Sequence, residues 1–222
     1  MSAILAIETS TPVCSVAIYS ADSVINEKRI NGRGVHSDST FLFIKKLMDD
    51  HSVSTQDLKA VLFSHGPGSY TGLRIGASAI KGLLFKQNVP LYSLSSLTSF
   101  SSPFLMKEPQ TVHAVIDARR EHLYYQKIVK TLENELQISG ETVLKIKDIE
   151  SSIKKGDVVT GTGLHRLTHA HKTTETWYNE DYISAKNLII AWSDPTLHHL
   201  FKERDVETFE PEYLTMSQLN DQ

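Results

Sequence analysis

The chain has 222 residues, a formal net charge of −3 and a single cysteine. That length holds one domain or two modest lobes with a substantial core. Near-neutrality leaves no overall basic footprint for autonomous nucleic-acid binding, one cysteine excludes an internal disulfide, and no apolar run approaches a membrane span. Glu8 interrupts the first apolar run too early for a signal segment, so a soluble, cytoplasmic protein is expected.

Ile4 to Ile7 and Cys14 to Tyr19 are β-rich runs joined by Glu8-Thr9-Ser10-Thr11-Pro12, a hairpin with a hydroxyl-rich turn. Cys14 sits in an apolar alternation and reads as a buried thiol. A further strand is expected over Ser23 to Ile30, followed by the turn Asn31-Gly32-Arg33-Gly34. His36 to Asp50 reads as a helix capped by Ser37 or Asp38. At about 100° per residue, Phe41, Leu42, Phe43, Ile44, Leu47 and Met48 point all around its axis. Such a helix is buried on two sides or forms an interface.

Ala60 to Ser64 reads as a buried strand, ended by Gly66-Pro67-Gly68, and a helix is expected from Thr71 to Lys86 with Ser69 or Thr71 as its cap. Gly72, Gly76, Ala79 and Leu83 share one stripe of that helix. Two helical glycines each cost roughly 1 kcal/mol against alanine, so their small size should admit a close neighbour. That neighbour is either the helix of a second subunit or this chain's own sheet. The spacing Gly66-x-Gly68-x-x-x-Gly72 misses the dinucleotide fingerprint by one residue, and no Gly-Lys-Ser/Thr follows. A phosphate cradle and a structural turn both stand as readings of the loop.

Pro90 to Leu94 is a buried strand leading into Ser95 to Phe100, and Ser101 to Gln110, with Pro103 and Pro109, is the best boundary. It divides the chain into residues 1–105 and 106–222. Val112 to Ile116 and Leu123 to Val129 make a second hairpin, with Asp117 at the place of Glu8, which points to an internal repeat. Asp117, Arg119 and Arg120 in its turn can bind an anion or be ordinary surface charges. Glu133 to Glu150 reads as a strand plus a short helix or loop, Val158 to Thr160 as a strand, and Tyr182 to Trp192 as helical. His165, His169 and His171 include a His-x-x-x-His pair suited to zinc. The polar, threonine-flanked context without a nearby carboxylate or cysteine favours a solvated segment instead. His198 and His199 read as surface.

Taken whole, Gly66-Pro67-Gly68-Ser69-Tyr70-Thr71-Gly72-Leu73-Arg74-Ile75-Gly76 resembles the signature of the TsaB (YeaZ) family, accessory proteins in making the threonylcarbamoyl modification of tRNA adenosine. Pro211-x-Tyr213-Leu214 resembles the family's ending, and the Asp117-Ala118-Arg119 turn recurs in it. Thr215 stands where an arginine is expected, which removes support for any role of that arginine. The resemblance implies an α/β fold of the actin-like/sugar-kinase-like (ASKHA) kind, two-lobed, with a degenerate, shortened second lobe and a tail that can return to the first lobe. In actin-like ATPases the acid and hydroxyls of the opening hairpin face a phosphate or a metal-bound water. This makes Glu8, Thr9, Ser10 and Asp117 weak cofactor-binding candidates, beside the plainer reading of a polar turn.

In TsaD, the catalytic relative, a strand like Pro90 to Leu94 leads into His-x-x-x-His, which holds the catalytic metal. Ser96 and Phe100 stand at those places here, and a phenyl ring cannot coordinate a metal. The resemblance therefore implies a non-catalytic subunit, without cofactor or metal, that supports TsaD in threonylcarbamoyl transfer to N6 of adenosine 37 in tRNAs reading codons that begin with A. The implied partners are TsaD as a heterodimer, TsaE through the complex, a second copy when alone, and tRNA only indirectly. Phe41, Ile44, Leu47 and Met48, with Gly72, Gly76, Ala79, Ile80 and Leu83, are the expected association surface. The competing class is an enzyme in its own right, an ATP-using phosphotransferase or a glycoprotease-type metallopeptidase.

Overall fold

A computed structural model describes residues 2–20, 24–106, 110–168 and 176–214. Strands β1 (Ala3–Glu8) and β2 (Val13–Tyr19) form the opening hairpin, and β3 (Ile25–Asn31) pairs antiparallel with β2. Helix α1 (His36–Asp50) leads to β4 (Leu58–Ser64), parallel to β1, and helix α2 (Tyr70–Leu84) leads to β5 (Leu91–Leu94), parallel to β4. Helix α3 (Ser96–Leu105) then leaves the sheet.

The second sheet repeats this plan. Strands β6 (Gln110–Asp117) and β7 (His122–Lys130) form a hairpin, with β8 (Leu136–Ile138) and β9 (Thr142–Lys145) both antiparallel to β7. Strand β10 (Val158–Thr160) lies parallel to β6 and β11 (Trp177–Tyr178) parallel to β10. The order β11-β10-β6-β7-β8 therefore matches β5-β4-β1-β2-β3 in both neighbours and sense. Its helices are reduced. Helix α4 (Ile146–Ser152) has seven residues where α1 has fifteen, and among the described residues a five-residue 3-10 turn is the helical element between β10 and β11, where α2 stands between β4 and β5. This is the two-lobed actin-like fold with a shortened second half. The chain ends with helices α5 (Lys186–Ser193) and α6 (Pro195–His198), then β12 (Lys202–Arg204), which returns to the first sheet as an antiparallel edge on β5. Among the described residues no helix is long and apolar enough to cross a membrane.

Alternation along the strands explains the two cores. Leu5, Ile7, Val16 and Ile18 face one side of the first sheet and pack on Ile44 and Leu47 of α1 and Leu73 and Ile80 of α2. Ala6, Ala17 and Leu62 face the other side. There they share a core with Leu105 of α3, Leu188 of α5, and Val112, Ile128 and Val158 of the second sheet. The two sheets are thus joined through apolar packing.

Two elements differ from expectation. Helix α3 continues through Pro103 to Leu105, into the stretch read as a linker. Proline removes the N–H that would bond to the carbonyl four residues earlier, and the Ser102 hydroxyl donates to that Ser99 oxygen instead, at 2.9 Å. Helix α1 has Val35 at its N-cap with no side-chain cap, so neither Ser37 nor Asp38 serves as one. Its buried residues, His36, Thr40, Ile44, Leu47 and Met48, form one stripe rather than two faces. Phe41 and Leu42 remain 52% and 58% exposed.

Candidate association surface

The glycine loop is filled by the chain's own opening hairpin. Ser69 N–H donates to the Ser10 carbonyl at 2.6 Å, and the Ser69 hydroxyl caps α2 by accepting from Gly72 N–H at 3.2 Å. A Cβ on Gly68 would lie 2.1 Å from the Ser10 carbonyl oxygen, and one on Gly72 would lie 2.1 Å from that of Thr9. A Cβ on Gly76 would meet Thr9 Oγ1 at 2.4 Å and the Phe63 ring at 2.6 Å. At Gly66 the backbone has φ +119°, and the Glu212 carbonyl oxygen of the tail would lie 2.4 Å from a Cβ. Between the alternatives the sequence left open, the loop is a packing turn.

These distances correct the expected association surface. Gly72, Gly76, Ala79 and Ile80 are turned into this chain, and Ile44, Leu47 and Met48 are buried beneath them. The small residues admit the hairpin turn and β4 of the same chain, so they have little surface to offer a second subunit. Of the nine residues, Phe41 is exposed and Leu83 is half-buried.

What α1 and α2 do present lies on their outer sides. Phe41 forms a ridge between two grooves. One, of about 340 Å³, lies between Ser37 and Phe41 on α1 and Tyr70, Arg74, Ile75 and Ser78 on α2. The other, about 510 Å³, is walled by Phe41, Lys45, Val53, Gly82 and Leu83, with Ile44, Met48 and Ala79 in its floor. Gly82 is the glycine that faces out: a Cβ there would have only Phe41 Cε1 nearby, at 4.0 Å. Phe85 and Tyr70 are 67% and 53% exposed, so the apolar surface runs the length of α2. At its start Arg74 stacks on Tyr70, 4.0 Å above the ring, and donates from Nε to Tyr213 Oη at 3.3 Å. Sequence reasoning missed Gly82, Ile75, Tyr70 and Arg74. The available signal was the arc of Thr71, Ile75, Ser78 and Gly82, which lies well away from Leu73, Ala77 and Leu84.

The cofactor candidates sit elsewhere and separately. Glu8, Thr9 and Ser10 have no exposed surface. Glu8 Oε1 accepts from Ser10 N–H at 2.7 Å and from its hydroxyl at 2.6 Å. Burial raises the Glu8 pKa, against the opposing hydrogen bonds from Ser10. Asp117 is held at the β6–β7 turn, accepting from Arg119 N–H at 2.8 Å and Arg166 Nη1 at 2.6 Å, with His165 Nε2 at 3.7 Å. Ser96 and Phe100 are buried in α3, and burial pushes up the Cys14 thiol, which lies 3.4 Å from Thr40 Oγ1. His169, His171 and Thr215 lie outside the described residues.

Residues 33–181 match the family model described as TsaD, tRNA N6-adenosine threonylcarbamoyltransferase. Relatives bearing the description tRNA threonylcarbamoyladenosine biosynthesis protein TsaB include that of Escherichia coli, 31% identical over 166 residues, covering 72% of this chain and 71% of the relative. The protein of Buchnera aphidicola subsp. Schizaphis graminum is 30% identical, covering 68% and 73%. That of Haemophilus influenzae is 32% identical over 130 residues, so the match spans 57% of this chain and about half, 54%, of the relative. The solved structure of YeaZ from Pseudomonas aeruginosa superposes with a TM-score of 0.73 at 23% identity, covering 96% of this chain and 100% of that one, a likeness of fold.

Proposed function

The chain belongs to the TsaB family, and from that membership we propose that it is a non-catalytic subunit supporting a TsaD-type transferase. The reaction served is threonylcarbamoyl transfer to N6 of adenosine 37 in tRNAs reading codons that begin with A. The outer sides of α1 and α2 form the docking surface, with Phe41 as its anchor and Gly82 giving close access beside it. The observation that carries this reading is the pairing of an exposed apolar ridge with an opening-hairpin acid, Glu8, sealed from solvent. An acid that activates a water or a phosphate must reach its substrate; Glu8 lies under the glycine loop with no exposed surface. In isolation the same ridge would favour pairing with a second copy. TsaE joins through the complex, and the site of action is the cytoplasm.

The test is reconstitution. The purified chain is mixed with the TsaD-type protein of the same organism, assembly is followed by sedimentation, and tRNA modification is measured with and without the chain. Expected results are a mixed complex, modification that depends on the chain, and neither ATPase nor metal-dependent peptidase activity from the chain alone. Stoichiometric zinc or iron, lost together with peptidase activity in Ser96→Ala, would contradict the reading.

A further inference from the structure

We propose that the β6–β7 end of the second sheet contacts the phosphate backbone of RNA, through Arg119 and Arg120. The inference rests on the functional reading above for the identity of the RNA, and it adds a direct contact where the sequence implied only an indirect one.

The turn between β6 and β7 is closed by two backbone bonds, from Ala118 N–H to the His122 carbonyl at 3.3 Å and from His122 N–H to the Arg119 carbonyl at 3.2 Å. Arg119 and Arg120 occupy it with φ of 70° and 52°, left-handed values uncommon for residues other than glycine, asparagine and aspartate. Both side chains are exposed, and neither guanidinium has a hydrogen-bond or ion-pair partner among the described residues. Of the two carboxylates at the turn, Asp117 is engaged and Glu121 is exposed. Arg166 Nη1 binds Asp117, its Nη2 holds the Arg120 carbonyl, and Arg119 N–H binds the same carboxylate. Arg166 thereby neutralises Asp117 and fixes the turn, leaving the two free guanidinium groups outermost.

Other bases gather at this end. Lys145 lies opposite His122 in the β7–β9 register, and Ile146 N–H donates to the Glu121 carbonyl at 3.0 Å, which brings Lys145 and Lys147 beside the turn. Both lysines are exposed. Against them stand Glu121, Asp148 and Glu150, the last accepting from the Thr168 hydroxyl while keeping its charge. With Asp117 paired to Arg166, four bases against three acids leave this end net positive on a chain whose total is negative. Arginine suits the occupant, because its planar fork matches phosphate oxygens, and a phosphate contact carries no sequence preference.

The experiment uses the full chain assembled with the TsaD-type protein and unmodified tRNA, with affinity measured against KCl concentration. Arg119→Asn with Arg120→Asn removes both charges while tolerating the left-handed backbone. The control is Lys154→Ala with Lys155→Ala, an equal loss of charge from exposed residues before β10, at the opposite end of the sheet. The expected result is weaker binding to every tRNA tested and a salt slope shallower by roughly 1.4–1.8, the release of two phosphate contacts. The control should keep the wild-type slope, and Arg→Lys at both positions should restore most of it. An unchanged slope, or equal losses in both double variants, overturns the proposal. So does weakened assembly with normal tRNA affinity per complex, which would assign the patch to an acidic protein surface. Assembly is read first. If the wild-type chain does not assemble, the functional reading fails, and the same variants titrated with tRNA on the chain alone, at about 50 mM salt, still decide whether this end binds RNA.

Discussion

Leucine placed at Gly76 and at Gly82, six residues apart on α2, should have opposite effects on stability and on assembly. Replacing glycine inside a helix gains about 1 kcal/mol in either place. At Gly82 nothing opposes that gain, since the nearest atom to a new Cβ is 4.0 Å away. Gly76 is different: the first carbon alone would lie 2.4 Å from Thr9 Oγ1 and 2.6 and 2.9 Å from two Phe63 ring atoms. Phe63 has no exposed surface and stands edge-on to Phe209, with ring centroids 5.8 Å apart, so it has nowhere to move. Overpacking of this kind costs roughly 1–3 kcal/mol. Taking the upper end and subtracting the helix gain leaves Gly76→Leu about 2 kcal/mol less stable. At 2–4 °C per kcal/mol for a chain of this size, Tm should fall by about 4–8 °C, while Gly82→Leu should rise by about 2–4 °C. Assembly inverts the order. Folded Gly76→Leu should still bind the TsaD-type protein, and Gly82→Leu, its groove filled, should not. Differential scanning calorimetry and sedimentation on the same samples read both effects. A Gly76→Leu protein with wild-type Tm, or a Gly82→Leu protein that assembles normally, would refute the assignment of inner and outer faces.

The buried His65 should make stability depend on pH. Burial lowers its pKa from 6.5 to about 4, more than the neighbouring Glu212 raises it. The unfolded chain therefore binds the extra proton between those values, and stability present above about pH 6.5 is lost as pH falls toward 4, by about 3 kcal/mol. Glu212, whose own burial is outweighed by His65 and Arg204, is held below its ordinary value and acts in the same direction. His65→Gln should flatten the profile, and a wild-type profile already flat in denaturant titrations would count against it. Glu8 has the opposite sign: its raised pKa means stability declines as pH rises past 4.5. Glu8→Gln should be at least as stable at pH 7 and keep full modification; a well-folded but inactive Glu8→Gln would give the carboxylate a chemical role. Phe209→Ala removes a buried ring from the tail's contact with β4 and should cost about 3 kcal/mol. Faster hydrogen exchange at Glu212 N–H, which donates to the His65 carbonyl at 2.9 Å, would report the tail's release, and unchanged exchange would oppose it.

The central elements of the first half were readable from local signals, β4 as an apolar run closed by Gly66-Pro67-Gly68 and α2 as the capped segment after that turn. The repeat was visible through Asp117, which ends β6 as Glu8 ends β1. Strands of two to four residues such as β8, β9 and β11 hold too few positions for alternation to show, whereas β10 was legible as the run Val158 to Thr160 before Gly161. The inner face of α1 was hidden by polar members: His36 and Thr40 lie in its buried stripe, where the Thr40 hydroxyl donates to the His36 carbonyl at 2.7 Å. The glycine stripe of α2 announced a close neighbour correctly, but small side chains do not say whose atoms fill the space. Here Thr9 and Phe63 fill it, brought there by the β1–β4 pairing. Gly82 carried the complementary information, and only the position of Phe41 in space made it intelligible.

The central claim, that the outer sides of α1 and α2 dock a transferase subunit, is tested most directly by one substitution on the ridge. Phe41→Asp changes a half-exposed ring that supports none of the chain's buried core, so the fold should persist with a Tm within a few degrees of wild type. Sedimentation equilibrium with the TsaD-type protein should then find no mixed complex. Retained assembly at wild-type affinity, by a folded Phe41→Asp chain, would contradict the account.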